Sequence, residues 1–484
     1  MRKTLLIAML AVVLLAAPSF ASVQNIKLSG DITTQYVVRD QFDLGGSSTT
    51  DYDQNFFLTQ TRLNVAADLT DNVQAVVGLI NERVWGAEDE TINGETSEIG
   101  TTDVQLNLAY VTLREMLYSP LTVVVGRQNF KYGNSFIMDS AGTNNTIANG
   151  NGLTGIANDL TARTALDAVR LIFDYNPLTI ELFASKVDSN TSGGFNPNAD
   201  DVDLYGANAT YKLGDTWDTV AEGYLFTKID NSAFGVTGLK ADTIYVPGLR
   251  ASTNPIKGLN VQGEIALQRG NKANTSNTTA GGASNDNVRR EAIGGQFIAN
   301  YMLPFDQLAQ YSPVITGVYT YVSGDKDPGD AGNSSSSGNG FQSSYKAWDP
   351  MFENQASGTI YNSLFDLSNS HIAMLSAQAK PMEDVTAKAT WTGIWLDKQV
   401  DAPKGGPIVA NFTQRIPGGG ASSTVTQKVT SNKAVGWEID GDLTYDYTED
   451  VQLGLSAGSF FPGDFFFIAD ESAHQVIGKA AVKF

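Results

Sequence analysis

The sequence predicts an all-β fold: a closed antiparallel transmembrane β-barrel of about 18 strands. Three observations lead to this class. Many segments alternate apolar and polar residues, the links between them alternate between short and long, and the last segment is amphipathic and ends in Phe484. Barrels of the bacterial outer membrane combine short periplasmic turns, longer outer loops and an apolar face towards lipid.

Strands are predicted from alternation with a period of two residues. Thr61, Leu63 and Val65 share one face of a segment whose other face carries Arg62, and residues 437–447 alternate in the same way. Such a strand has one apolar and one polar face. A soluble sandwich shows the same alternation with its apolar face inward, so the alternation alone does not distinguish the two classes.

The lengths of the links favour the barrel. Turn-like links such as Thr70-Asp71-Asn72 and Thr448-Glu449-Asp450 alternate with long links rich in Gly, Ser, Asn and Asp, such as 326–367. A soluble protein has no reason to sort its loops in this way. An even number of strands places both ends on the periplasmic side and leaves no open edge. The candidate strands lie near residues 23–40, 55–69, 72–85, 102–117, 120–130, 163–175, 178–188, 202–213, 217–230, 239–252, 258–270, 288–302, 312–324, 368–380, 385–398, 434–448, 451–461 and 473–484.

The first 21 residues have the order of a secretory signal peptide. Arg2 and Lys3 precede an apolar run over residues 5–17, and small residues lead to a cleavage site after Ala21. The run is too short for a membrane-spanning helix, which needs roughly 20 apolar residues. We therefore expect export through the inner membrane and a single outer-membrane barrel domain over residues 22–484.

Composition narrows the classes of partner. The formal net charge is −20, so nucleic-acid binding, which needs a basic face, is not expected. The chain has no cysteine, and we expect no cofactor. Membrane lipid and lipopolysaccharide are the expected surroundings, because acidic outer loops fit a surface bridged by divalent ions. The last strand, ending in Phe484, is similar to the signal that the outer-membrane assembly machinery recognises.

Several short motifs resemble those of the alginate-export family of outer-membrane porins. Their order is kept from residue 126 to residue 464, and together they imply an eighteen-stranded porin. The resemblance favours a role for Arg127 in the solute pathway, but it does not imply alginate itself, because such domains are widely used as general porins. The motifs are Gly126-Arg127-Gln128, Tyr132-Gly133-Asn134, Leu166-Asp167-Ala168-Val169-Arg170-Leu171, Gly324-Asp325, Trp348-Asp349-Pro350-Met351-Phe352, Gly436-Trp437-Glu438-Ile439-Asp440 and Phe461-Pro462-Gly463-Asp464.

We therefore expect a passive, water-filled channel for small polar or anionic solutes. An anionic polysaccharide or a sugar acid is one candidate solute. A charge that faces lipid costs roughly 2–4 kcal/mol near the midplane, so charged residues among alternating apolar ones are predicted to face the lumen. Arg127 has ambiguous parity, and a bulge at Gly126 would be needed to turn it inward. The alternative is that these charges only satisfy one another. The predicted pathway residues are Arg62, Arg127, Arg170, Arg290, Glu181, Glu264, Glu438, Asp440 and Asp442.

One long link contains more apolar residues than a surface loop needs. Residues 129–162 are rich in Gly and Asn but include Phe136, Ile137 and Met138. We predict that this segment folds into the barrel and narrows it, as loops do in plugged barrels. The alternative is a surface loop that packs on its neighbours.

Other chemistry has little support in the sequence. Asp325, Asp327 and Asp330 offer oxygen ligands at calcium-like spacing, but the Gly and the terminal Glu of an EF-hand are absent, so no metal site is predicted. No serine nucleophile elbow is predicted, because the G-x-S-x-G spacing at residues 454–458 falls within an alternating strand, and an enzyme is not expected. The alternatives to a porin are a structural or adhesive barrel without an open pore and an outer-membrane hydrolase.

Aromatic residues near strand ends are predicted to lie at the borders between lipid and water, where amphipathic rings are favoured. This set comprises Tyr36, Trp85, Tyr110, Tyr175, Tyr211, Trp391, Trp395, Tyr445, Tyr447 and Phe484.

Overall fold

The structure is a computed structural model, and its helices are few and short. The one α-helix in the described part of the chain is Tyr361–Leu364, and no helix there is long and apolar enough to cross a membrane. The signal peptide predicted over 1–21 lies outside the described residues. Those residues are 24–45, 53–86, 91–92, 95–96, 104–118, 120–145, 158–189, 201–231, 241–273, 288–326, 344–355, 358–399, 410–415, 424–467 and 471–484.

Eighteen long strands form the wall of the barrel, as the alternation predicts. In chain order they are β1 Asn25–Asp40, β2 Gln54–Thr70, β3 Val73–Val84, β4 Gln105–Leu113, β5 Leu121–Gln128, β6 Leu166–Asp174, β7 Leu178–Asp188, β8 Val202–Lys212, β9 Val220–Asp230, β10 Asp242–Ile256, β11 Leu259–Lys272, β12 Val288–Met302, β13 Val314–Val322, β14 Ser370–Met382, β15 Val385–Leu396, β16 Ala434–Asp446, β17 Val451–Pro462 and β18 Ala473–Lys483. The predicted fold class is confirmed.

The wall is closed. Each strand pairs antiparallel with the next in sequence, and β1 pairs antiparallel with β18, from Asp31 opposite Lys483 to Asp40 opposite His474. The remaining strands are short and belong to the links. Ser344–Tyr345 runs parallel to the start of β12, and two hairpins, Thr91–Ile92 with Glu95–Thr96 and Ala410–Arg415 with Thr424–Val429, form separate two-stranded sheets.

Short links lie at one end of the barrel and long links at the other, as the sequence predicts. Turns of two residues, 71–72, 257–258 and 383–384, join β2 to β3, β10 to β11 and β14 to β15. At the opposite end of the barrel the links 129–165 and 323–369 are far longer. The long links therefore share the outer end of the barrel, and the short turns share the periplasmic end.

One face of the wall exposes large apolar side chains. Leu28 is 62% exposed and Leu249 65%, which is the expected outward face in lipid. Nine of the ten aromatic residues predicted for the membrane borders are exposed on the structure, and the exception is Tyr110. Tyr110 shares the parity of the buried Thr112, whereas Val111 between them is exposed, so Tyr110 points towards the lumen.

Gly30 and Phe484 complete the seam between β1 and β18. The Gly30 N–H donates to the Phe484 carbonyl at 2.8 Å, and the Phe484 N–H donates back to the Gly30 carbonyl at 3.0 Å. A Cβ atom at position 30 would lie 2.5 Å from the Arg62 carbonyl oxygen and 2.8 Å from the Phe484 ring. Glycine is therefore required where the ring of Phe484 crosses β1.

Candidate functional site in the barrel lumen

The link after β5 turns back on itself immediately after the strand. We call its described part, residues 129–145, the first insert. The Tyr132 N–H donates to the Met138 carbonyl at 3.0 Å, and the Ser140 N–H donates to the Phe130 carbonyl at 2.9 Å. This short hairpin buries Phe136 almost completely, with 0% of its surface exposed. The apolar residues that mark this link in the sequence thus form a packed unit.

The first insert packs against the face of the wall opposite to the lipid-facing apolar residues. The Tyr132 hydroxyl donates to Glu181 on β7 at 3.1 Å, and the Phe130 ring lies 5.0 Å from the Arg170 guanidinium carbon on β6. Asn134 accepts a hydrogen bond from Arg250 on β10 at 3.3 Å. These wall residues alternate with exposed apolar neighbours, so the described part of the insert lies inside the barrel.

The link after β13 also enters the lumen. We call its described parts, residues 344–355 and 358–367, the second insert. Asp349 forms an ion pair with Lys228 on β9 at 2.9 Å and lies 3.8 Å from Arg290 on β12. Gln268 on β11 donates to the Asp349 carbonyl at 2.6 Å and accepts from its N–H at 2.8 Å. Three strands therefore hold one residue of the insert.

The far end of the second insert is held by carboxylates of β16. Glu438 accepts the N–H groups of Ile360 at 2.8 Å and Tyr361 at 2.7 Å, and Asp440 accepts the Thr359 hydroxyl at 2.7 Å. Glu438 is 0% exposed and Asp440 is 4% exposed. Buried backbone N–H groups need such partners, so these two carboxylates fix the insert rather than face open water.

The two inserts are joined to each other. The Phe352 N–H donates to the Ile137 carbonyl at 3.0 Å, and the Asp139 N–H donates to the Phe352 carbonyl at 2.8 Å. The Phe136 and Trp348 rings are stacked with centroids 5.6 Å apart. Because the wall strands that they contact range from β6 to β16, the joined inserts bridge separate parts of the wall across the lumen.

The chain returns from the first insert along a third side of the wall. In this return segment, residues 158–165, Asp159 forms an ion pair with Arg39 on β1 at 2.5 Å. Glu82 on β3 accepts the Thr161 hydroxyl at 2.8 Å and the Ala162 N–H at 2.6 Å. The two inserts and the return segment together contact strands around most of the barrel, from β1 and β3 to β16.

The carboxylate of Asp349 keeps its charge inside the lumen. Burial raises the pKa of Asp349, but the Lys228 ammonium, the Arg290 guanidinium and the Met351 N–H outweigh it and hold the pKa below the ordinary value of 3.8. A carboxyl whose pKa is lowered on folding stabilises the folded state above its unfolded pKa, and this contribution is lost as pH falls through the folded pKa.

We therefore expect the Asp349 contacts of the second insert to stay fixed at neutral pH and to loosen only in acid below the ordinary aspartate value. The part of the conductance or noise that depends on Asp349, measured as the difference between the wild type and an Asp349→Asn variant, should change only beyond that value. A conductance step near neutral pH that is absent from an Asp349→Asn variant would contradict this expectation.

Comparison with known proteins agrees with this architecture. A family model described as "Alginate export" matches residues 24–478. The chain belongs to the alginate export family. This confirms the resemblance that the motifs indicate. No curated protein matches the chain.

Solved structures share the fold of this alginate export family barrel. Pseudomonas aeruginosa OccK11 (OpdR) has a TM-score of 0.52 at 11% identity, with 96% of each chain covered. P. aeruginosa OpdQ has 0.51 at 12% identity, covering 96% of this chain and 99% of the other, and P. aeruginosa OpdK with vanillate has 0.52 at 9% identity, covering 96% and 100%. The family and this porin-like fold make the chain an outer-membrane porin channel.

The structure places eight of the nine predicted pathway residues on the inward face. Arg62 forms an ion pair with Asp31, Arg170 with Glu181, and Arg290 with Asp242. Glu264 accepts the Tyr224 hydroxyl at 2.6 Å, and Asp442 accepts the Ser456 hydroxyl at 2.6 Å. Arg290, Glu438 and Asp440 are buried against the second insert, whereas Arg62 and Asp442 are more exposed.

Arg127 is the exception. Its guanidinium binds Asp167 through two nitrogens, at 2.8 and 3.2 Å, on the face that carries the exposed Val125 and Val169. Gly126 has a φ of +120°, yet the ladder keeps its register through Arg127 opposite Asp167. No bulge at Gly126 directs the Arg127 side chain into the lumen, so Arg127 lies on the outward face and its predicted place in the pathway is wrong.

The acidic loop after β13 shows no metal site in its described part. Asp325 is buried and accepts the Lys346 N–H at 2.7 Å. Asp327 and Asp330 lie outside the described residues. Among the residues that the structure describes, no group of three or more His, Cys, Asp or Glu side chains could hold a metal.

Several residues that fix the inserts were not singled out from the sequence. Arg39, Glu82, Lys228 and Arg250 all lie on inward parity and hold the inserts or the return segment. The same period-two alternation could have found them. Their partners could not be identified, because alternation carries no information about which link folds inward.

Proposed function

We propose that the channel passes small polar or anionic solutes passively and that the two inserts set its size limit. The observation that carries the proposal is the joined pair of inserts, fixed to the wall by Asp349 at one end and by Glu438 at the other. Loops folded into a barrel narrow its lumen. The narrowing favours small solutes over an extended polymer.

Paired charges on the wall, both beside the first insert and away from it, support passage without tight binding. Arg62 and Arg170 each lie beside a carboxylate, Asp31 and Glu181, at 2.8 and 2.6 Å. Mixed charges replace part of the hydration of a polar solute, and conduction requires that each contact be weak enough to release it. A small carboxylate such as a sugar acid fits this lining. The structure of OpdK was solved with vanillate, which is also a carboxylate.

Liposome swelling tests the proposal directly. Vesicles that contain the purified chain should swell in neutral sugars and sugar acids up to a sharp size limit. If a correctly assembled barrel gives no swelling, the protein is a structural or adhesive barrel without an open pore. Hydrolysis of ester lipids in the same vesicles would identify a hydrolase.

Replacing Arg62 and Arg170 together by Gln is expected to lower the permeability of anions relative to cations. The change leaves Asp31 and Glu181 facing the lumen without their cationic partners. Reversal potentials across a salt gradient measure the shift. Arg127→Gln is the matched control, because Arg127 is on the outward face. Identical reversal potentials for the double variant and the control would show that Arg62 and Arg170 do not determine the ion selectivity of the channel.

We also infer that residues 1–21 are cleaved during export and that the assembly machinery recognises the strand ending in Phe484. The seam contacts of Phe484 with Gly30 support the second inference, because they make the terminal ring part of closure. N-terminal sequencing of the mature protein should begin at Ser22.

A further inference from the structure

A recess lined by aromatic rings lies on the outward face of the barrel, where β15 and β16 reach their outer ends. Its volume is about 360 Å³. It contains three of the six tryptophans of the chain, so these large side chains are concentrated at one place. The recess is lined by Trp391, Trp395, Ala434, Gly436, Trp437 and Gly463.

Bare glycine backbone and ring stacking shape this recess. A Cβ atom on Gly393 would lie 2.6 Å from the Trp395 ring and 2.9 Å from the Trp391 ring, so both indoles lie over the glycine. Trp437, which is paired with Gly393 across the ladder, is stacked on Phe461 with centroids 4.1 Å apart. The walls are thus held in place by contacts within the protein.

A polar recess of about 650 Å³ lies directly beyond the apolar one. The two are continuous along the chain, because Lys433 and Asp464 line the polar recess while their neighbours Ala434 and Gly463 line the apolar one. The Lys433 ammonium donates to the Asp397 backbone carbonyl at 2.5 Å. It forms no ion pair within the described part of the chain, so its charge is not neutralised by a bound carboxylate there. The other lining residues are Gln399, Thr430, Ser431 and Asn432.

We propose that the two recesses together bind one phosphorylated glycolipid of the outer leaflet. The apolar recess takes an acyl chain, and the polar recess takes the phosphate and sugar hydroxyls of the headgroup. Tryptophan favours the border between lipid and water, and the order apolar then polar along the outward face matches the order within such a lipid. The Lys433 ammonium and the neutral donors suit the phosphate. The Asp464 carboxylate, which accepts a hydrogen bond from the Asn432 side chain at 3.2 Å, suits the sugar hydroxyls. This site is separate from the channel lumen.

A second copy of the chain is a poorer occupant. A symmetric pair of barrels would place the same patch against itself, and two concave recesses do not fill each other. A lipid supplies a narrow apolar chain that can lie along an open recess of this volume.

The test uses the full-length chain in detergent, with lipid A as the probe and phosphatidylcholine as the comparison lipid. Native mass spectrometry should show one retained lipid A per wild-type chain. Ala434→Leu fills the apolar recess, and Lys433→Gln removes the ammonium from the polar one. Each change should weaken lipid A retention severalfold, and Lys433→Gln should leave phosphatidylcholine retention unchanged.

Ala207→Leu is the matched control. Ala207 lies on the outward face of β8 opposite the exposed Leu182 and Leu225, away from the recess, and this variant should retain lipid A as the wild type does. Heat-modifiable migration on gels confirms that each variant forms a barrel. Equal retention by the wild type, Ala434→Leu and Lys433→Gln overturns the proposal, as does a dimer that Ala434→Leu abolishes.

Discussion

Shortening the first insert is expected to raise single-channel conductance severalfold. The change replaces Tyr132–Met138 with an Asn-Gly turn. Lys131 and Asp139 already form an antiparallel bridge, and Asn-Gly is the preferred two-residue turn between such partners. The wall strands are untouched, so the barrel should assemble normally.

The physical reason is the loss of the bridge across the lumen. The residues removed include Phe136, Ile137 and Met138, which are 0%, 2% and 1% exposed. They stack on Trp348 and bond to Phe352 in the second insert, so the two inserts lose the apolar part of their shared contact and keep only hydrogen bonds such as that from Asp139 to Phe352. Larger sugars should also enter liposomes that contain this variant.

A matched control replaces Phe305–Tyr311, seven exposed residues of the link between β12 and β13 at the opposite end of the barrel, with the same Asn-Gly turn. Conductance of this control should equal that of the wild type, since surface links tolerate shortening. If the first-insert variant assembles and conducts like the control, the first insert does not limit the pore.

The second large effect is expected from Asp349→Ala. Lys228, which is 7% exposed, would keep its charge inside the barrel without the partner now 2.9 Å away. Breaking one side of a buried ion pair costs about 3–5 kcal/mol. The free energy of unfolding in lipid vesicles should fall accordingly, and the second insert should fluctuate, which single-channel recordings would show as added noise.

A variant without either charge separates the charge effect from the lost contacts. The variant with both Lys228→Met and Asp349→Leu removes both charges, and Arg290 keeps Asp242 at 2.7 Å. It should recover much of the stability lost by Asp349→Ala, because a buried pair can be replaced by apolar residues at little cost. Equal loss in the single and double variants would show that the ion pair does not determine how the insert is held.

The alternation of apolar and polar residues and the lengths of the links were sufficient to predict the strands of the barrel wall. Both depend on the local environment of each residue, since a strand between lipid and water must alternate and a periplasmic turn must be short. The inward position of Arg62, Arg170 and Glu264 follows from the same rule.

The partners of the inserts could not be predicted in this way. Asp349 of the second insert is 121 positions from its wall partner Lys228, and Tyr361 of the same insert is 77 positions from Glu438. No periodicity connects a loop residue with a wall residue. Apolar residues in 129–162 predicted inward folding of the first insert. The Trp348–Phe352 segment carries the same apolar signal, but in the sequence it resembles a family motif and does not by itself indicate inward folding.

Arg127 shows that period-two alternation does not determine which way a side chain points next to a distorted glycine. A φ of +120° at Gly126 distorts the strand but leaves the pairing register unchanged. The sequence indicates only that a distortion is allowed there. Its direction depends on the ladder on both sides, where Asp167 provides an outward partner.

Because β1 pairs with β18, the barrel can close only after its last strand is present. Every other ladder of the wall joins strands adjacent in sequence, whereas this one waits until β18 has been made and Phe484 can meet Gly30. Until then β1 carries an unpaired edge that other chains could join. The free edge of β1 must therefore be shielded until β18 pairs with it, and a chain that lacks its last strand has no closed wall.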